Sequence, residues 1–193
     1  MKIVLISGST RGDSVNTAVL ATVRHILEGL PGEHESVLLP VGELPFYEAE
    51  LEAADGSAVV RAAKELVTGA DALFISTPSY NGEMPGALKN ALDWLSRAQG
   101  ERPSPLTGKV TAVTSASPGV RGALDAQTGL IGVLGRCGAR VVEHEPVAVA
   151  RAGALAVEDG RYTDPELVAR LESLTRSLLA GVAEAGERAG VLV

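Results

Sequence analysis

Near its start the chain gathers an unusual set of donors: Ser7-Gly8-Ser9-Thr10-Arg11-Gly12-Asp13-Ser14-Val15-Asn16-Thr17. Ser9, Thr10, Ser14 and Thr17 can each donate a hydroxyl hydrogen bond, Asn16 an amide N–H, and Arg11 a charged planar fork. Gly8 and Gly12 let the backbone approach a ligand closely. Placed at the start of a helix, such a stretch suits phosphate. The first helical N–H groups have no partner inside the helix, and the macrodipole puts partial positive charge there. A plain polar turn capped by Asp13 or Ser14 has the same composition, so this loop alone does not decide.

Two further segments could do chemistry beside it. Ser76-Thr77-Pro78-Ser79-Tyr80-Asn81-Gly82-Glu83-Met84-Pro85-Gly86 combines an aromatic ring with a path fixed by proline. Its exposed backbone N–H and C=O groups can address the edge of a flat heterocycle, and Tyr80 can stack on it or simply cover the core. Ser115-Ala116-Ser117-Pro118-Gly119-Val120-Arg121-Gly122 offers Ser115, Ser117 and the Gly119 backbone; alone it would read as a Pro-Gly turn. Cys137 has no neighbouring histidine and reads as a small packed residue. His25, His34 and His144 fall outside the three segments, so no acid, base or metal site is expected.

The elements that position these segments follow from hydrophobic patterning. Lys2-Ile3-Val4-Leu5-Ile6 is an apolar strand leading into the first segment. Val19, Val23, Ile26, Leu27 and Leu30 recur at helical spacing, and Pro31-Gly32 ends that helix. Glu35 to Leu39 reads as a second strand and Val59, Ala63, Leu66 and Val67 as a helix. Pro40 to Gly56 is acidic, has no period, and is long enough to suggest a functional or interface loop. Ala72-Leu73-Phe74-Ile75 is continuously apolar, as in a parallel strand covered on both faces. A helix carrying Leu88, Ala91, Leu92 and Leu95 follows, with Trp94 at its margin. Lys109 to Thr114 is a fourth strand, and Gln127, Leu130, Ile131 and Leu134 mark the next helix. Arg140 to Val142 resumes strand character, extended past Pro146 by Val147 to Ala150. Arg151 to Tyr162 receives no assignment. Thr163-Asp164-Pro165-Glu166 has capping-box spacing and opens a last helix through Leu167, Leu171, Leu174 and Leu178.

Strands alternating with helices predict an α/β fold, with right-handed crossovers around a parallel sheet. Five strands suit the flavodoxin-like doubly wound order 2-1-3-4-5, whose ligand lies beyond the carboxyl ends where the order reverses. The three donor-rich segments follow strands one, three and four, which are neighbours in that order. They are therefore expected to meet in one crevice. A ligand with phosphate at one end and a flat heterocycle at the other is a mononucleotide, and this strand order favours FMN.

Composition narrows the partners. A chain of 193 residues with 46% hydrophobic content fits one domain with a full core. It has no apolar run of about 18 residues to span a membrane, and its start does not read as a signal peptide. A single cysteine fits a reducing cytoplasm. The net charge of −7 disfavours nucleic acid or an anionic membrane, so phosphate must be held by local donors.

Gly8-Ser9-Thr10-Arg11 with Ser14-Val15-Asn16-Thr17, and the run from Pro78 through Tyr80, Asn81, Met84, Pro85, Asn90 and Trp94 to Arg97, resemble the signatures of the NADPH-dependent FMN reductase family, which includes bacterial quinone, chromate and azo-dye reductases. The resemblance covers nearly the whole chain. It implies that Ser9, Arg11, Ser14, Asn16 and Thr17 bind the FMN phosphate, that Pro78, Ser79, Tyr80 and Asn81 border the isoalloxazine, and that Ser115 and its loop close the other side. The candidate cofactor set is thus Ser9, Thr10, Arg11, Ser14, Val15, Asn16, Thr17, Pro78, Ser79, Tyr80, Asn81, Gly82, Ser115, Ser117 and Gly119. It further implies NADPH or NADH as reductant, a small-molecule acceptor, and a homodimer or homotetramer with the flavin site beside the interface. The apolar Leu88–Leu95 face and Pro45-Phe46-Tyr47 are the interface candidates. Two places depart from the family: Ser79 stands where Glu is common, and the third loop reads Gly119-Val120-Arg121-Gly122-Ala123 where a glycine pair is common.

Other readings fit less well. A flavodoxin-like electron carrier would wrap its ring in aromatics, and here Tyr80 is the only one in the three segments. A phosphatase on a similar sheet needs a cysteine in the first loop. A phosphoacceptor regulator needs Asp after strand three, where Pro78 stands.

Overall fold

The computed structural model describes residues 1–54, 57–98 and 100–190. Its sheet is built from β1 (Lys2–Ser7), β2 (Glu35–Leu39), β3 (Ala72–Thr77) and β4 (Val110–Ala116), with two short pieces, β5 (Arg140–Val141) and β6 (Ala148–Val149), along the outer edge of β4. All pairings are parallel and the order is β2-β1-β3-β4-β5, as the alternation of elements predicts. β3 and β4 are buried along their whole length, which explains the continuous apolar run of β3 at 72–75. The fifth strand is split because 143–146 leaves the sheet, while Val142 and Val147 keep backbone bonds to β4. Glu143, Glu145 and Pro146 lie there, and proline has no N–H for a ladder bond.

Helices cover both faces. α1 (Val15–Gly29) and α6 (Pro165–Gly190) pack on one side over Ile3, Leu5, Phe74 and Ala112. α3 (Ala58–Thr68), α4 (Gly86–Leu95) and α5 (Leu124–Arg136) cover the other over Val4, Ile6, Leu73 and Ile75. Strand residues therefore alternate between the two cores, as the pleat requires.

Several local expectations change. The stretch 40–54 contains a 3₁₀ turn at Val41–Glu43 and the short helix α2 (Ala49–Ala53); Asp55 and Gly56 lie outside the described residues. Trp94 is not marginal but buried, because its indole N–H donates to the Pro45 carbonyl at 2.8 Å. Ile131 faces outward on α5 rather than joining the core. Cys137 is half-buried against the second core. The final helix is capped by Asp164, whose Oδ1 accepts the Leu167 N–H at 2.8 Å, so the Thr163 frame is displaced by one residue.

The unassigned segment 151–162 forms a 3₁₀ turn at Ala152–Ala154 and a hairpin of β7 (Val157–Glu158) and β8 (Arg161–Tyr162). Asp159 and Gly160 at its tip both have positive φ, 50° and 76°, the type I′ geometry that matches hairpin twist. The hairpin lies on α1: the Tyr162 N–H donates to Thr22 Oγ1 at 2.9 Å, and the Tyr162 hydroxyl to the Ala152 carbonyl at 3.1 Å. Burial pushes the Tyr162 hydroxyl pKa up to about 12.

Candidate active site

The three donor-rich segments lie at the carboxyl ends of β1, β3 and β4 and are bonded to one another. The Gly8 N–H donates to the Ser76 carbonyl at 2.8 Å, tying the first loop to β3. Asn16 makes the second tie. Its Nδ2 donates to the Ala116 carbonyl at 3.1 Å, while its Oδ1 accepts from Ser76 Oγ at 2.8 Å. One side chain, 1% exposed, thus joins α1, β3 and β4. Gly8 is closely packed. A Cβ there would lie 3.1 Å from Leu88 Cδ2 and from Pro78 Cδ.

In the first loop, Ser14 is the N-cap of α1; its Oγ accepts from the N–H groups of Asn16 (3.1 Å) and Thr17 (3.4 Å), and its own O–H remains to donate. Thr17 Oγ1 lies 3.3 Å from Ser7 Oγ, which also receives the Ser9 N–H. Among the described residues, the N–H groups of Thr10, Gly12, Asp13, Ser14 and Val15 have no protein acceptor. Free N–H groups, hydroxyls and a nearby guanidinium at a helix N-terminus match what a phosphate monoester needs. Arg11 is exposed, and its fork is held by Asp13. Thr10 leans on the turn after β2, where a Cβ on Gly42 would come within 2.9 Å of Thr10 Cγ2. Hollows of about 350 and 360 Å³ flank this loop, with Gly12 and Thr17 lining both. Val15 lines the first of them, together with Tyr162 and Val157 of the hairpin.

In the second loop, Tyr80 and Glu83 pair through two backbone hydrogen bonds of 2.8 and 3.2 Å. Asn81 (φ 55°) and Gly82 (φ 89°) form the tight turn between them. The Tyr80 ring is half-exposed, Ser79 is partly buried and Pro78 is buried against the first loop. The turn therefore presents Tyr80, Asn81 and Gly82 at the rim, while Pro78 supports it.

Ser115 differs from its expected placement. It lies within β4, is fully buried, and its Oγ sits 2.7 Å from the Gly122 carbonyl and 3.0 Å from Gln127 Oε1. It shapes the third loop from inside. Ser117 and Gly119 are tied outward to β6 and the segment after it: Ser117 N–H to the Val149 carbonyl (3.2 Å), Ala152 N–H to the Ser117 carbonyl (3.0 Å) and Arg151 N–H to the Gly119 carbonyl (3.0 Å). Gly122 packs flat on that segment; a Cβ would lie 2.8 Å from backbone atoms of Ala148, Val149 and Ala150.

The histidines are elsewhere. His25 lies 3.5 Å from Glu28, His34 meets the Pro31 carbonyl, and His144 bridges Ser173 and the Glu145 carbonyl. Among the described residues no cluster of metal ligands occurs. A hollow of about 560 Å³ is level with the start of β4 between β5 and α6, at the opposite end of the sheet from the three loops. Its Arg140 is paired with Glu184 at 2.9 Å.

This sheet order, with a hydroxyl-rich loop opening α1 and two further loops at the reversal of the order, defines a flavodoxin-like protein of the flavoenzyme class. The sequence model of the NADPH-dependent FMN reductases matches residues 1–154, and the chain belongs to that family. A 2-hydroxy-1,4-benzoquinone reductase from a Burkholderia species is 40% identical over 134 residues, 69% of this chain and 69% of that protein. A quinone reductase of Escherichia coli (strain K12) is 38% identical over 124 residues, 63% of each chain. The solved structure of FerB from Paracoccus denitrificans, described as a flavoenzyme NAD(P)H:(acceptor) oxidoreductase, superposes with a TM-score of 0.84 at 31% identity, covering 95% of this chain and 98% of that one.

Proposed function

We propose that this chain is an NAD(P)H-dependent oxidoreductase that uses bound FMN to reduce a small acceptor such as a quinone, azo compound, chromate or free flavin. The observation that carries the reading is the hydrogen-bonded convergence of the three loops at the reversal of the sheet order. Bound FMN would supply the redox chemistry, taking hydride from the reduced nicotinamide and giving electrons to the acceptor. The protein binds and orients. Ser9, Ser14 and Thr17 hydroxyls, the free N–H groups of the first loop and Arg11 take the phosphate. Tyr80, Asn81 and Gly82 border one part of the ring, and Ser117 and Gly119 another. Val15 supports the first loop, and Asn16 and Ser115 hold the frame. An electron carrier would need more aromatic cover than the single Tyr80 gives.

The two cores share one sheet, which supports reading the chain as a single FMN-binding domain. Self-association as a homodimer or homotetramer belongs to the same proposal, and Phe46 supports it. Phe46 is 81% exposed, yet its neighbours are fixed: the Pro45 carbonyl accepts from Asn90 and Trp94 (both 2.8 Å), and the Tyr47 N–H donates to Asn90 Oδ1 (2.8 Å). An exposed ring on a fixed loop is well suited to an interface. We place the protein in the cytoplasm; its described helices include none long and apolar enough to cross a membrane. Purified protein is expected to bind FMN with 1:1 stoichiometry and to oxidise NADPH or NADH when a quinone is added. Protein that takes up no FMN refutes the proposal.

A further inference from the structure

Arg11 meets Asp13 face to face. Its Nη2 lies 2.9 and 3.0 Å from the two carboxylate oxygens and its Nε 3.2 Å from Oδ1. A phosphate that takes this Nε–Nη2 edge must displace the carboxylate, because the edge offers a single pair of aligned donors. Both side chains are largely exposed, 65% and 80%, so the pair is weak and Asp13 returns to water at little cost when released.

Position adds a second effect. Asp13 directly precedes Ser14, the N-cap of α1, so its negative charge stands one residue outside the positive helix end that an incoming phosphate would use. The rest of the loop is held independently of the pair. The Arg11 N–H is bonded to Ser9 Oγ at 3.3 Å, and the Ser14 cap contacts do not involve Arg11. Exchange of partner is thus a side-chain event on a fixed backbone.

We propose that Asp13 is a resident competitor for the cofactor phosphate: it holds the Arg11 fork in the free protein, yields it when phosphate binds, and so weakens retention of FMN. This rests on the FMN reading above. A dianionic phosphate outcompetes one carboxylate, so FMN still binds, but it leaves against a group ready to recapture Arg11. Riboflavin lacks the phosphate and is indifferent to Asp13.

The test is titration of the flavin-free full-length protein with FMN and with riboflavin, read by flavin fluorescence, for wild type, D13N, R11A and R11A/D13N. D13N is expected to lower the Kd for FMN about three- to tenfold and to slow FMN dissociation to match. The riboflavin Kd stays within about twofold, and the FMN gain shrinks when Arg11 is absent. An FMN Kd that D13N leaves unchanged or raises overturns the proposal. So does a gain that persists undiminished in R11A/D13N, or an equal gain for riboflavin. If wild type binds neither flavin, the FMN reading itself fails; if FMN binds normally and D13N is inert, only the role of Asp13 falls.

Discussion

Replacing Asn16 by Asp turns the central clamp into a pH-dependent one. The amide donates to the Ala116 carbonyl and accepts from Ser76 Oγ, and is 1% exposed. A protonated carboxyl of the same size keeps one donor and one acceptor and can reproduce both bonds. A carboxylate cannot donate. It would face the Ala116 carbonyl oxygen and place a charge where water does not reach. Loss of that bond, with the carbonyl left unpaired, costs about 1 to 3 kcal/mol, and burial of the charge adds to it. The N-terminus of α1 returns part, about 1 kcal/mol. The expected net cost of the ionised form is therefore about 2 to 4 kcal/mol, which at about 1.4 kcal/mol per pH unit puts the folded pKa at about 5.5 to 7 against about 3.9 unfolded. A folded pKa raised above the unfolded one contributes stability that is present below pH 3.9 and lost as pH rises through the folded value. Urea unfolding of wild type and N16D should thus show a gap of only about 1 kcal/mol at pH 4.5, widening to about 2 to 4 kcal/mol at pH 8. N16L, which cannot titrate, should show a gap independent of pH. A pH-independent difference for N16D, whether large or small, refutes the clamp.

Tyr162 is buried, and its pKa is raised to about 12 from an ordinary 10.0, so its neutral form stabilises the fold fully below pH 10 and that contribution fades towards pH 12. Wild type should lose about 2 to 3 kcal/mol more than Y162F across that range, measured by urea unfolding. G122A should cost about 2 to 4 kcal/mol, because a Cβ meets three backbone atoms at 2.8 Å and φ is +58°. G82A, with φ +89° but open space, should cost only about 1 kcal/mol; equal effects in thermal unfolding would contradict the packing account. The proposed self-association through Phe46 predicts a smaller mass for F46E than for wild type in light scattering, with little change in stability, since Phe46 is 81% exposed on its own chain. An unchanged mass would remove Phe46 from the interface.

The sheet order was legible because it follows from alternation: a continuously apolar run at 72–75 and a largely apolar strand at 109–114, separated by amphipathic helices, leave few arrangements open. Boundaries were less legible where polar residues are buried. Ser115 looks like a loop residue, but inside β4 its hydroxyl reaches the Gly122 carbonyl and so remains satisfied, as the Thr114 hydroxyl is by the Val147 carbonyl. The hairpin at 157–162 carried a readable signal, Asp159-Gly160, in the two-residue spacing of a type I′ turn, as did Asn81-Gly82 in the second loop. Neither flank alternates clearly enough to draw attention to it. Trp94 was misplaced because helical spacing gives direction and not depth. The 40–54 stretch, which has no period of its own, comes back to cover it.

These placements divide the candidate set by physical role. Ser9, Thr10, Arg11 and Tyr80 project from loops and leave donors or a ring face free; Asn16, Pro78 and Ser115 are buried with their contacts inside the protein. Sequence similarity cannot separate the two groups, because a residue that shapes a loop and one that touches its ligand recur in the same motif. Burial separates them. An acidic chain that binds phosphate cannot rely on a general positive field, so each local donor must be correctly aimed. Aim is supplied from beneath: Gly8 is drawn to β3, Asn16 closes the gap to β4, and Gly122 lies flat on the backbone of β6 and Ala150. The projecting residues are therefore expected to govern affinity, and the buried ones to govern whether the crevice exists.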